Sequence, residues 1–180
     1  MVTFLWDNLF KRNPTENGTA FFLKRNILFQ DLSSKQLKFL SAIVHRRRYR
    51  AGEIIFHQGE AGLGMYIIAF GSVDITVAKG RPEPENRSDE IVITRLGPGD
   101  FFGELALVER GGRRSATARA AEAAELIGFF KPDLVDIFER SPSVGVKIAM
   151  RLGEVIGLRL KETTRRLSDL EEQIKQVQAE

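Results

Sequence analysis

Between Tyr49 and Gly128 the apolar residues change their spacing to two, in short segments that glycine interrupts. Glu53–His57, Met65–Phe70, Val73–Ala78, Glu90–Leu96 and Ser115–Gly128 each read as a strand whose successive side chains fall on opposite faces. Many short strands with glycine turns predict a barrel or a jelly roll. Helical patterns flank this block. Phe21 to Val44 shows helical spacing twice, and Ser33 or Ser34 can cap the helix that carries Leu37, Leu40 and Ile43-Val44. Further helix starts follow at Lys131-Pro132-Asp133 and at Ser141-Pro142, where proline near the first turn is well placed. Strands bracketed by helices make the fold class α+β.

The chain has 180 residues, 43% of them hydrophobic, enough for one good core and a helical appendage. The divisions read as 1–20 (appendage and linker), 21–141 (the strand block with its flanking helices) and 142–180 (a long carboxy-terminal helix). No run approaches the length of a bilayer span, and Met1 to Phe10 lacks the charged start and small-residue cleavage site of a secretory signal. A cytoplasmic protein is expected. The absence of cysteine excludes disulfides, thiolate metal sites and a cysteine nucleophile.

The net charge of +3 is unevenly spread: residues 1–50 carry 10 Lys and Arg against 3 acids, whereas 151–180 carry 6 against 6. The densest basic run, His45-Arg46-Arg47-Arg48-Tyr49-Arg50, suits either a patch for nucleic acid or anionic lipid or a solvated strand edge, and the strand edge is the better reading. Phe4-Leu5-Trp6 and its neighbours in residues 1–10 would pack back on the domain or dock on a membrane or partner helix. The proline-rich 80–90 segment reads as a strand connection, with contact to a partner as the alternative.

Val146, Ala149, Gly153, Ile156, Leu160, Thr163, Leu167, Leu170, Ile174 and Val177 follow alternating steps of three and four. That is the spacing of a coiled-coil seam. It predicts a homodimer through the last helix, in preference to a lone amphipathic helix packed on its own roll.

The stretch richest in chemistry is Phe102-Gly103-Glu104-Leu105-Ala106-Leu107, followed by Arg113-Arg114-Ser115-Ala116-Thr117. It sets a carboxylate and a guanidinium ten residues apart around a glycine-led turn, with small residues beside the arginine. Backbone N–H groups of the turn and a two-pronged arginine suit a phosphate, and the carboxylate suits a sugar hydroxyl. The stretch resembles the phosphate-binding cassette of cyclic-nucleotide-binding domains, of the catabolite-activator and kinase-regulatory-subunit type. Two upstream blocks extend the likeness: Tyr49 to Glu60, then Gly64-Met65-Tyr66-Ile67-Ile68 with Gly71-Ser72-Val73. Roughly Phe22 to Arg166 is covered.

The resemblance implies an eight-stranded, jelly-roll-like β-roll with amino-terminal helices, enclosing a cyclic nucleotide beneath the long helix. It implies that Arg114 holds the cyclic phosphate with N–H groups of Leu105-Ala106 and Ser115, beside Gly103 and Ala116. Glu104 would take the ribose 2′-hydroxyl, and Ile75 and Ile93 would pack on sugar and base. Arg113 should point outward. Thr163 and Thr164, in Arg159-Leu160-Lys161-Glu162-Thr163-Thr164, resemble the helix segment that reaches the base, although about one extra helical turn separates them from Pro142 and leaves Arg159 or Leu160 as alternative lids. A plain seam threonine is an equal reading for Thr163, and a ligand-free ion pair is the rival for Glu104 and Arg114.

The function expected is a sensor of cyclic AMP, with cyclic GMP the alternative, that signals by movement of its last helix to an unknown downstream protein. No other cofactor is expected, and no DNA partner: residues 151–180 are neutral, and the chain stops where a helix-turn-helix would begin. The rivals are a truncated transcription regulator and a dimerisation module with a vestigial pocket. An enzyme is not expected, because the two histidines, His45 and His57, fall in strand-like runs away from any cluster of ligands or bases.

Overall fold

The computed structural model describes residues 16–78 and 90–178, so the 1–10 appendage and nearly all of the 80–90 connection lie outside the described residues. Helices α1 (Glu16–Arg25) and α2 (Ser34–Ser41) precede the strands β1 (His45–Tyr49), β2 (Ile54–Phe56), β3 (Gly64–Phe70), β4 (Val73–Ala78), β5 (Glu90–Leu96) and β6 (Phe101–Phe102). The one-turn α3 (Leu105–Val108) leads to β7 (Thr117–Ala120), β8 (Ala124–Phe130), α4 (Lys131–Arg140) and α5 (Pro142–Gln178). Ser33 caps α2 reciprocally: its hydroxyl accepts from the Gln36 N–H at 3.3 Å, and the Gln36 side chain accepts from the Ser33 N–H at 2.9 Å.

The eight strands form two four-stranded antiparallel sheets, ordered β1-β8-β3-β6 and β2-β7-β4-β5. This is the jelly-roll-like β-roll. Alternation along β3 builds two cores at once. Tyr66 and Ile68 face the interior of the roll with Phe56, Val73, Phe102 and Leu126, while Met65, Ile67 and Ala69 face the helices with Phe29, Phe129, Ile137 and Ile148. Phe29 and Phe129 meet edge to face at 6.0 Å between ring centres.

The expected single strand over Ser115–Gly128 is in fact two, β7 and β8, separated at Ala121–Ala123. Gly71, in the turn between β3 and β4, packs closely against this reversal. It has φ +78°, and a Cβ on it would run into the Ala123 carbonyl. The basic run occupies β1, which among the described residues is a sheet edge paired with β8 alone. Arg46 and Arg48 both reach the buried Glu125, the latter at 3.4 Å.

Helix α5 has two unlike halves. Val144, Ile148, Leu152 and Val155 are buried against α4 and the outer face of the roll, and Ile156 packs beside them. Beyond it the helix runs on with Leu160, Leu167, Leu170, Ile174 and Val177 all more than half exposed. Its 37 residues span about 55 Å. Among the described residues no helix is long and apolar enough to cross a membrane.

Candidate ligand-binding site

A cavity of about 880 Å³ lies between the mouth of the roll and α5. Its apolar wall comes from Phe56, Ile75, Ile93, Leu96, Phe101, Phe102 and Leu158, and its polar end from Gly103 to Ala106 and Gly112 to Ala116. Ten of the eleven expected site residues line it: Gly103, Glu104, Leu105, Ala106, Arg114, Ser115, Ala116, Ile75, Ile93 and Thr163. Thr164 does not. One residue further along a helix is turned by about 100°, and its hydroxyl donates to the Leu160 carbonyl at 2.9 Å.

Gly103 ends β6 in a left-handed conformation, φ +75°, that only glycine adopts at no steric cost. Any side chain here would also strike the Arg114 guanidinium. The bend brings Arg114 across the chain reversal, so that its Nη1 donates to the Gly103 carbonyl at 3.2 Å and its guanidinium lies over the Phe56 ring at 3.9 Å. Arg114 is only 8% exposed, and its buried Nε has no hydrogen-bond partner among the described residues. Desolvation lowers its pKa, and the nearby Tyr66, Glu60 and Glu104 offset that shift only in part. Arg113 is exposed and donates to the Gly59 carbonyl at 2.7 Å, so of the adjacent pair it is Arg114 that turns inward.

The main-chain donors around Arg114 are partly committed. The Ala106 N–H already donates to the Gly103 carbonyl at 3.2 Å. The Leu105 and Ser115 N–H groups have no partner among the described residues. This amends the expected donor set, because closing the α3 turn uses one of its members.

Glu104 is 6% exposed and makes no ion pair with Arg114. Its partner is Arg159 of α5, whose Nη1 donates to Oε1 at 2.6 Å. The same guanidinium donates to the Phe101 carbonyl at 3.1 Å and lies 4.6 Å above the Phe101 ring. Arg159 thus clasps the long helix to the cassette. Sequence reasoning placed Arg159 only as an alternative lid, and Leu160, the other alternative, points to solvent at 66% exposed. It also passed over Phe56, Glu162 and Arg166 as lining residues. The available signal was spacing: Leu158, Arg159, Glu162, Thr163 and Arg166 share one face of a helix.

A family model described as cyclic nucleotide-binding domain matches residues 46–141. The chain belongs to the cyclic nucleotide-binding domain family. The cyclic AMP receptor protein of Thermus thermophilus is 32% identical over 140 residues, which is 78% of this chain and 60% of that protein. The crystal structure of the Thermus thermophilus catabolite activator protein superposes with a TM-score of 0.69 at 31% identity, covering 81% of this chain and 63% of that one. The regulatory domain of Toxoplasma gondii PKA, solved with cAMP, shares the fold at TM-score 0.58 and 24% identity over 69% of this chain and 45% of that one. The chain spans about three-fifths of the length of the curated cyclic AMP receptor proteins it matches, 60% in one case and 64% in another. Members of the family are ligand-binding regulatory domains, and among the described residues no group of histidine and carboxylate side chains could hold a metal ion.

Proposed function

We propose that this cyclic nucleotide-binding domain is a sensor of cyclic AMP that signals through α5. The observation that carries the reading is Arg114: a buried guanidinium, unpaired at Nε, in a cavity walled by apolar side chains. A cyclic nucleotide supplies one negative charge, one free ribose hydroxyl and an apolar-faced base. In this reading Arg114 takes the phosphate with the Leu105 and Ser115 N–H groups, Glu104 accepts from the 2′-hydroxyl, and Ile75 and Ile93 pack on sugar and base. Adenine rather than guanine is supported by the cyclic AMP receptor proteins among the relatives.

Signalling follows from the clasp. In this reading Glu104 accepts from the ribose on the same carboxylate whose Oε1 holds Arg159, so ligand and helix are coupled through one side chain. The ligand thereby shifts the population of α5 poses by its differential contacts with them. The exposed seam from Leu160 to Val177 supports a parallel homodimer, which would carry the movement to a downstream protein.

Calorimetry with cyclic AMP and cyclic GMP on the wild type and on Arg114→Ala tests the site. Removing one side of a desolvated charge contact costs about 2–5 kcal/mol, which is roughly 1.5 to 3.5 decades of affinity. Arg113→Ala should change little. An unchanged dissociation constant in Arg114→Ala would overturn the assignment.

A further inference from the structure

Two features of the sequence take no part in the pocket: the apolar residues of segment 1–10 and the arginines of β1. Val2, Leu5, Trp6, Leu9 and Phe10 stand at i, i+3, i+4, i+7 and i+8, the spacing of one apolar helical face, with Phe4 outside it and Lys11-Arg12 directly after. These residues lie outside the described ones, but the place where they join the fold does not. Helix α1 begins at Glu16, and a Cβ on Gly18 in its first turn would lie 3.7 Å from the Arg46 Nη1. One turn on, the Arg46 guanidinium lies 5.9 Å from the centre of the Phe22 ring. The neighbouring Phe21 is 56% exposed, and the Arg25 guanidinium sits 5.5 Å above it.

This corner of α1 and β1 is strongly cationic. Arg46 and Arg48, two apart on the strand, both reach the carboxylate of Glu125, and the Arg48 side chain is still 76% exposed. Three arginines, Arg25, Arg46 and Arg48, therefore stand against one acid. Residues 1–50 carry 10 Lys and Arg and only 3 acids, of which Asp31 is taken up by Arg151. The five residues between Phe10 and Glu16 reach about 21 Å at full extension, so the apolar segment stays beside this corner.

The two features ask for different surroundings at one place. Val2, Leu5 and Leu9 have no use for a polyphosphate backbone and need an apolar phase, whereas the arginines need anions. An anionic bilayer supplies both, headgroups above acyl chains, and a guanidinium stacked on an exposed phenylalanine suits that boundary. The position in the fold also leaves the pocket open: β1 and β6 are the two opposite edges of one sheet, and the cavity is lined by β6.

We propose that residues 1–12 together with Arg25, Arg46 and Arg48 dock the domain peripherally on an anionic lipid surface. The apolar face enters the acyl boundary and the arginines hold the headgroups, which sets the sensor on a membrane without crossing it.

Co-sedimentation of the full chain with vesicles tests this, using equimolar phosphatidylglycerol and phosphatidylcholine against phosphatidylcholine alone. The wild type should bind the anionic vesicles roughly tenfold or more tightly than the neutral ones, and added salt should reduce the difference. Arg25→Gln and Arg48→Gln should each weaken binding about fivefold, and the double variant Leu5→Glu, Trp6→Glu should abolish it, all with the melting curve unchanged. Equal binding to both vesicles, or binding that survives Leu5→Glu, Trp6→Glu, would overturn the proposal. So would a wild type that binds neither vesicle; if Leu5→Glu, Trp6→Glu then lowers the melting temperature, the segment packs on its own domain instead.

Discussion

The two halves of α5 carry the same apolar periodicity and put it to different uses. The proximal half lays Val144, Ile148, Leu152 and Val155 into the core shared with α4 and β3, where each is under a tenth exposed. The distal half keeps its stripe in solvent and turns a charged face, Arg159, Glu162 and Arg166, toward the cavity. Core packing thus resides in the first half, and the charges that line the cavity in the second. The boundary is marked by Arg159, which still touches the roll through Glu104 and Phe101. A periodic stripe therefore shows that a helix has an apolar face, and only the length of the body beside it decides how much of that face is covered.

Matched truncations on either side of the boundary give the largest contrast. Leu152→Ala opens a cavity in a packed core and should lower unfolding stability by about 2–5 kcal/mol, whereas Leu170→Ala should cost less than about 0.5 kcal/mol in a monomer. Denaturation midpoints measure both, and comparable losses at dilution would erase the distinction between the halves. Next comes the seam. Leu167→Lys places an ammonium in the middle of the proposed dimer contact, a penalty of about 2 kcal/mol per chain. It should dissociate the dimer in light scattering with the melting curve of the roll preserved. A wild type that is monomeric at high micromolar concentration would remove the seam's proposed role.

The clasp between the halves is a smaller quantity. Arg159→Ala strips the buried Glu104 of its partner, and amide exchange over residues 156–166 should quicken by roughly tenfold, about 1.4 kcal/mol. Unchanged exchange would mean that the distal half needs no clasp. The smallest effect is the acid response. Folding depresses the carboxylates of Asp31, bonded to Arg151, and of Glu162, bonded to Arg165 and Arg166. Their contributions are complete above the ordinary carboxylate range and vanish as pH falls through the lowered values. Both sites are solvent-exposed, so a helical signal followed from pH 7 down should soften only slightly before the roll itself unfolds. A softening that begins near neutrality would point to another group.

Most of the roll was legible in the sequence because its strands obey period two and its turns carry glycine. Residues Glu90–Leu96 and Val73–Ala78 match β5 and β4 end for end. The merged Ser115–Gly128 strand shows where that signal fails. β8 is buried on both faces, so alternation disappears, and the break at Ala121–Ala123 contains neither glycine nor proline to announce it. β6, two phenylalanines long, is too short to have any period at all. At the site, the cassette could be read because its chemistry is local in the chain. The Glu104–Arg159 contact joins residues 55 apart in sequence and could not be, since nothing in either neighbourhood names the other. Thr164 was misplaced by one residue of helical phase, which in a helix is a quarter of the circumference.

The length of α5 has a mechanical consequence. About 33 Å of helix projects beyond Ile156, the last residue that packs on the core, so each degree of tilt at that point sweeps the far end through roughly 0.6 Å. The clasp at Arg159 sits barely one turn past the fulcrum. A displacement there too slight to disturb the packed half would be magnified severalfold at Gln178, so in the proposed signalling the helix would act as a lever, its short arm at the pocket and its long arm toward the downstream protein.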